Sequence, residues 1–492
     1  MLLLPKYLYR RLSILFFFIE KRKTSLIEIS NFFYCSKRVI KDDLIFLNEC
    51  FESYFGCSNF LLSHYSGIIE INPAYEPECL SYVYELKLIL LKQVIPFNFL
   101  VLLTTQASHS KEDLLEKLII TDTYLDKITM QLNNYLSDFD IQIKSRRGNY
   151  FLTGREEFIR LFSYILLSDS YQCIEWPFAS LPLEKIIEDI PEDLYTILDT
   201  LSDSKKRQLT ILYAILFIRS KDNQYLTKAA DDEITYIMNI LTQHFDVSSY
   251  LELKTRLPLS ETIKTNEILT FNLFAHIFIS DTLTREQKAE IGNSFYHDEN
   301  QYCVSAKKVV QAISQLVDTP LSDLQLNMYT YFTTLFLVWY AYTGKAFLPF
   351  VYLFLPVPPF YIQSEHPFMV KLEETIQQIV QDDQQTRFLV SLFFSLLKAD
   401  KKPKLKIYLQ LTKNYTAIYF IKNRLATIFN PDNIQITIDY LEADFIITDS
   451  LEYSDEDKVI FFLDDLNNFS RWQALVFSIQ SEYLQKMEYL RE

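Results

Sequence analysis

Polar and apolar positions in the first 155 residues spell one pattern twice. Ser25-Leu26-Ile27-Glu28 has the spacing of a capping box, which starts a helix, and Leu26, Ile29 and Phe33 then share one helical face. A short turn at Tyr34-Cys35 follows. Ser36 can cap a second helix whose apolar face is Ile40, Leu44, Leu47 and Phe51; Lys37, Arg38 and Lys41 lie at its start, off that face. Asn59–Ser63 and Gly67–Ile71 then read as a hairpin turning at His64-Tyr65-Ser66-Gly67, where glycine can take positive φ. The pattern returns at Ser110-Lys111-Glu112-Asp113, followed by Leu114, Leu115 and Leu118. Thr121 caps the next helix, with Leu125, Ile128, Leu132 and Leu136 on one face. The two caps are 11 residues apart in both units, and apolar positions at +4, +11 and +15 from the second cap agree. A second hairpin runs through Ile141–Lys144, a turn at Ser145-Arg146-Arg147-Gly148-Asn149, and Tyr150–Thr153. A packed helix, a tight turn, a helix with a free polar N-terminus and a hairpin make a winged helix-turn-helix, here in tandem.

That layout predicts contact with double-stranded DNA. Ser36, Lys37, Arg38 and Lys41 head the first recognition helix, where Arg suits bidentate contact with guanine and Lys suits phosphate. The second recognition helix is less basic and offers Tyr124, Lys127, Gln131 and Asn134. Its wing offers Lys144, Arg146 and Arg147, suited to phosphate or to a narrow minor groove.

Beyond the repeat the period changes. Residues 156–400 read as two runs of long amphipathic helices, such as Arg160–Leu167, Gln208–Ile218 and Thr375–Leu397. They are separated near Asp281–Asn300, with joints at Leu181-Pro182 and Pro191-Glu192-Asp193. The apolar stretch from Tyr331 to Ile362 is interrupted by Gly344-Lys345 and by Pro349, Pro356, Pro358 and Pro359. It is too short and broken for a membrane span and reads as a buried helix plus an apolar loop. After Asp400-Lys401-Lys402-Pro403 come a strand at Lys404–Leu411, a helix at Tyr415–Ile428 and short strands at Ile434–Ile438, Asp444–Thr448 and Val459–Leu463. A helix at Arg471–Leu490 closes what reads as a small α/β domain with a mainly parallel sheet. The expected fold is therefore mainly α and multidomain: winged helix-turn-helix domains at 1–75 and 76–155, helical-bundle domains at 156–283 and 284–400, and an α/β domain at 401–492.

Composition narrows the chemistry. The 492 residues are 49% hydrophobic and 23% charged, enough for large cores, yet only six are glycine. No G-x-G-x-x-G or G-x-x-x-x-G-K-[ST] occurs, which argues against a nucleotide-driven enzyme. Formal charge is −15, but residues 1–41 carry +7, placing a polyanion-binding end on an acidic body. Six cysteines without a C-x-x-C pair read as reduced thiols, and six scattered histidines have no metal-ligand spacing, so no catalytic site, metal or cofactor is expected. The apolar run Leu12–Ile19 is short and followed by Glu20-Lys21-Arg22-Lys23, unlike an export signal. A cytoplasmic protein without membrane contact is the expectation.

The segment Ser36-Lys37-Arg38-Val39-Ile40-Lys41-Asp42-Asp43-Leu44, and the wing from Lys144 to Arg160 with its Gly154-Arg155-Glu156 exit, resemble the Mga/AtxA-like virulence-gene regulators of Gram-positive bacteria. The order of parts is similar over the whole chain. The resemblance implies two regulatory domains of phosphotransferase-system type, a C-terminal domain like a phosphotransferase IIB component, and a transcriptional regulator that dimerises through its C-terminal half. It implies an activator of virulence or surface-protein genes on A·T-rich DNA, with RNA polymerase and sugar-phosphotransferase proteins as further partners. His244, His276, His297 and His366 read as structural residues; the resemblance makes them the candidates for phosphorylation. An active IIB component carries a nucleophilic Cys after its first strand. Here that loop is Leu411-Thr412-Lys413-Asn414, so the domain is read as an interaction surface. The competing reading is an RNA-binding antiterminator with the same helical regulatory domains.

Overall fold

The computed structural model describes residues 5–188, 201–227, 230–244, 246, 260–279, 283–317, 320–354, 367–400, 404–411, 416–430, 432–450, 458–463 and 465–489. His366, the joint at Pro191-Glu192-Asp193 and the loop residues Thr412-Lys413-Asn414 lie outside the described residues. The chain is mainly α and multidomain, with small sheets. It divides into two compact units, residues 1–311 with 319–359, and residues 312–318 with 360–492. This division falls inside the stretch expected as the second helical domain.

The first unit begins with α1 (Lys6–Lys21), which buries Leu8, Leu12, Leu15 and Phe18 at helical spacing. Then follow β1 (Lys23–Ser25), α2 (Leu26–Phe32), α3 (Lys37–Phe55), β2 (Leu61–Ser63) and β3 (Ile68–Ile71). After α4 (Cys79–Lys92) and α5 (Ile95–Thr105) the order recurs as β4 (His109–Ser110), α6 (Lys111–Leu118), α7 (Asp122–Leu136), β5 (Ile141–Arg146) and β6 (Asn149–Gly154). The expected two-stranded wings each gain a third strand. The first cap of each unit and the one or two residues before it pair with the hairpin, giving antiparallel orders β1-β3-β2 and β4-β6-β5. Two or three residues show no alternation, so the sequence pattern missed them. The second turn is also tighter than expected: Arg146 is still in β5, opposite Asn149, and only Arg147 and Gly148 form the turn.

The helix α8 (Glu156–Tyr171) leaves the second wing and is buried on nearly every side. A strand-to-helix exit this close needs Gly154, whose φ is +150° and whose missing Cβ would lie 2.3 Å from the Asp140 carbonyl oxygen. Further helices among the described residues before the last sheet are α9 (Leu183–Glu188), α10 (Asp203–Lys221), α11 (Asp232–His244), α12 (Glu261–Phe278), α13 (Arg285–His297), α14 (Gln301–Ser314), α15 (Asp323–Thr343), α16 (Phe347–Phe354) and, in the second unit, α17 (Pro367–Val380) and α18 (Asp383–Asp400). A buried ionic cluster fastens α8 to its neighbours. Arg160 pairs with Glu267 and donates from Nε to Glu156 at 2.9 Å, and Arg219 holds the same Glu156 from Nη2 at 2.5 Å. Glu267 also accepts from the Leu226 amide at 2.9 Å, so its desolvated oxygens are satisfied.

Three expectations are corrected. The separator Asp281–Asn300 contains α13, packed on α15 through Gly292, where a Cβ would meet the Asn327 carbonyl oxygen at 1.9 Å. The single helix Thr375–Leu397 is two, α17 and α18, broken where Gln381 takes φ +59°. The apolar stretch after Tyr331 forms the buried end of α15, as expected, but then a further helix, α16, through Phe354; its last part, 355–362 with Pro356, Pro358 and Pro359, lies outside the described residues. Among the described residues no single helix is long and apolar enough to cross a membrane; Pro73–Lys92 with Ile95–Thr105 qualifies only as a pair bent by 94°. All six cysteines are free thiols.

The second unit holds a four-stranded parallel sheet, order β10-β9-β7-β8, from β7 (Leu405–Gln410), β8 (Ile434–Thr437), β9 (Phe445–Thr448) and β10 (Val459–Phe462). The helices α19 (Ala417–Ile428) and α20 (Phe469–Tyr489) contribute Ile421, Leu425, Trp472, Leu475 and Ile479 to a core with Leu405, Ile407, Phe445 and Ile447. The other face of α20 leaves Phe469, Phe477 and Leu484 in solvent.

Candidate nucleic-acid interface

Cap for cap, the second unit repeats the first 85 residues later. Ser25 Oγ accepts from the Glu28 amide and Ser110 Oγ from the Asp113 amide, both at 3.1 Å. Ser36 and Thr121 cap α3 and α7 through the Val39 and Tyr124 amides at 3.4 Å. Between the helices Tyr34 and Ile119 take left-handed φ of 51° and 53°. Each wing is tied to its helix pair at both ends. Leu26 N donates to Gly67 O at 2.9 Å and Lys111 N to Gly148 O at 2.8 Å, which anchors the tips beside the starts of α2 and α6. Asn48 on α3 brackets Leu61 of β2 with hydrogen bonds of 3.0 and 2.8 Å, and Asn133 on α7 brackets Ile143 of β5 in the same way. These asparagines were not among the residues the sequence suggested. Their signal is an Asn 12 residues after the second cap in both units.

The sequence-suggested residues lie on this frame as follows. Ser36, Lys37, Arg38 and Lys41 are exposed on the first turns of α3. Tyr124, Lys127, Gln131 and Asn134 form an exposed stripe along α7, and Lys144, Arg146 and Arg147 are exposed on β5 and its turn. The two helix sets are not equivalent. An 85-residue shift carries Lys37, Arg38 and Lys41 onto Asp122, Thr123 and Asp126. Asp122 is paired with Lys111 at 2.5 Å. In the first unit positive charge is on the recognition helix; in the second it is on the wing.

The wings differ accordingly. The second is a two-residue turn with Arg147 at φ 52° and Gly148 at φ 79°, the type I′ geometry that matches strand twist. The first is one residue longer, Tyr65-Ser66-Gly67, with His64 N donating to Ile68 O at 2.8 Å. Its nearby charges are mutually satisfied. His64 Nε2 lies 2.9 Å and Lys23 3.2 Å from Glu70, and these contacts, that of His64 foremost, hold the Glu70 carboxyl below the usual range.

The +7 of residues 1–41 overstates the charge offered to a polyanion. Arg10 and Arg11 converge on buried Asp43 of α3 at 2.6 and 2.9 Å, and Lys23 serves Glu70. Lys37, Arg38, Lys41, Lys127, Lys144, Arg146 and Arg147 have no ion-pair partner among the described residues. Exposed and unpaired, they add positive potential to the surface of both helix-turn-helix units.

The histidines are dispersed. His276 is buried in α12 with Nε2 3.2 Å from Leu241 O, and burial pushes its pKa down to about 4. His244 is exposed at the end of α11, and His297 is exposed on α13 with Nδ1 2.9 Å from Asn293 O.

Residues 82–167 match the family model of the Mga helix-turn-helix domain. The match spans α4 to α8, including the second helix pair and its wing, and supports an Mga-like regulator family for the chain. The matched domain is a DNA-binding helix-turn-helix of a transcription-regulator family, which supports DNA as a partner of the chain. No curated protein matches the sequence significantly.

Proposed function

We propose that the chain is a cytoplasmic transcriptional activator of the Mga/AtxA-like kind that binds A·T-rich duplex DNA as a dimer through both winged units. The observation that carries this reading is the set of unpaired cations on the first recognition helix and the second wing. Lys37, Arg38 and Lys41 hold phosphates and guanine edges in one major groove. Arg146 and Arg147 enter an adjoining minor groove, narrowest and most negative in A·T-rich sequence. Tyr124, Lys127, Gln131 and Asn134 lie along the second groove. The helical domains carry regulation, with His244 and His297 as the exposed residues open to phosphotransfer. The α/β domain supplies the dimer surface through Phe469, Phe477 and Leu484 on α20, whose exposed apolar area a second copy would cover. RNA polymerase is the partner an activator requires.

The test measures affinity of the full chain for a duplex and for an RNA hairpin of equal length over a series of salt concentrations. The reading requires tighter duplex binding that falls steeply with salt, since each neutralised phosphate releases counterions. Preference for the hairpin would favour an antiterminator instead.

A further inference from the structure

Two aliphatic side chains on the recognition helices lie mostly in solvent. Ile45 on α3 is 57% exposed and Met130 on α7 is 63% exposed. They are equivalent under the 85-residue shift, each the ninth residue of its helix. Their faces are those that carry the polar candidates. Ile45 lies four, seven and eight residues after Lys41, Arg38 and Lys37, and Met130 lies three after Lys127 and four before Asn134. The buried faces of the same helices run through Ile40, Leu44 and Leu47, and through Leu125, Ile128 and Leu132.

Resting on the reading that these helices enter major grooves, we infer that Ile45 and Met130 are specificity residues that read the 5-methyl group of thymine. A major groove offers donors and acceptors from every base pair but only one apolar group, the thymine methyl. An exposed aliphatic side chain at mid-helix gains nothing from phosphate or water; against that methyl it buries area. Isoleucine offers a stiff, branched contact, and methionine an adaptable one. Preference for A·T pairs then has a direct source on the helices, separate from the minor-groove shape reading assigned to Arg146 and Arg147.

The experiment compares the full chain on an A·T-rich duplex and on the same duplex with thymine replaced by uracil, which removes methyls and leaves the pairing edges in place. Burying one methyl-sized group accounts for roughly fourfold in affinity, so wild type should bind the uracil duplex about fourfold more weakly per contacted methyl. The exposed-site variant Ile45→Ser/Met130→Ser should bind both duplexes alike, with the salt slope and circular dichroism of wild type. Equal wild-type affinity for the two duplexes would overturn the inference. So would a variant that still discriminates them, because the methyls would then be read elsewhere. In either case, weakening by Arg38→Ala/Lys41→Ala would leave the DNA-binding reading standing; absence of duplex binding by wild type would remove both.

Discussion

Asn133 Oδ1 accepts the amide of Ile143 at 2.6 Å while its Nδ2 donates to the carbonyl of the same residue at 3.0 Å. One side chain on α7 thus replaces a neighbouring strand for one residue of β5 and sets where the wing stands. Asn133→Ala should cost roughly 1–3 kcal/mol, the penalty for leaving both backbone groups unsatisfied. Urea unfolding gives the loss, and faster amide exchange in β5 and β6 locates it. An unchanged midpoint with unchanged exchange would mean the clamp is dispensable.

Asp43 receives Arg10 and Arg11 at 2.6 and 2.9 Å and is 1% exposed. Asp43→Ala should destabilise by about 3 kcal/mol, because two part-buried guanidinium groups lose their shared counter-charge. It removes no proposed DNA contact. Affinity per folded molecule should fall only through misplacement of α3, with the salt slope kept.

Arg38→Ala/Lys41→Ala should weaken duplex binding and flatten the salt dependence by about one slope unit for each phosphate no longer neutralised. Arg146→Ala/Arg147→Ala should in addition erase part of the preference for A·T-rich over G·C-rich duplex at equal ionic strength. If the second pair weakens both duplexes by one common factor, the wing holds phosphate alone.

Burial lowers the His276 pKa to about 4, against about 6.5 in an unfolded chain. The unfolded state binds the extra proton between these values. The stabilisation is therefore complete above about pH 6.5 and is lost as pH falls toward 4, by roughly 3 kcal/mol in all. In His276→Gln this part of the acid destabilisation should be absent from urea midpoints taken between pH 7 and pH 4.

Gly292→Ala places a Cβ 1.9 Å from the Asn327 carbonyl oxygen, so α13 and α15 must move apart. Overpacking of this kind costs about 1–3 kcal/mol. Helix propensity alone would raise stability by about 1 kcal/mol. Thermal unfolding decides between the opposite signs.

The sequence by itself determined the tandem helix pairs, the hairpins after them and the strand-helix order of the last 90 residues. Each rests on local chemistry: caps at Ser25, Ser36, Ser110 and Thr121, helical spacing of leucines and isoleucines, alternation at Ile141–Ile143. It also marked the exposed cations, because a charged residue off an apolar face has nowhere to go but solvent. Tertiary structure decided which cations are spent internally. Arg10 and Asp43 are 33 residues apart, and no periodicity reports on such a pair. It decided that Lys23–Ser25 and His109–Ser110 are strands, since so short a segment becomes one only when a hairpin is there to accept its hydrogen bonds. It decided that α13 fills an expected joint, its apolar positions packing chiefly against α15. It also decided that Ile45 and Met130 lie mostly in solvent, because the fate of an apolar residue depends on what else packs nearby, and no element covers that face of either helix enough to bury them.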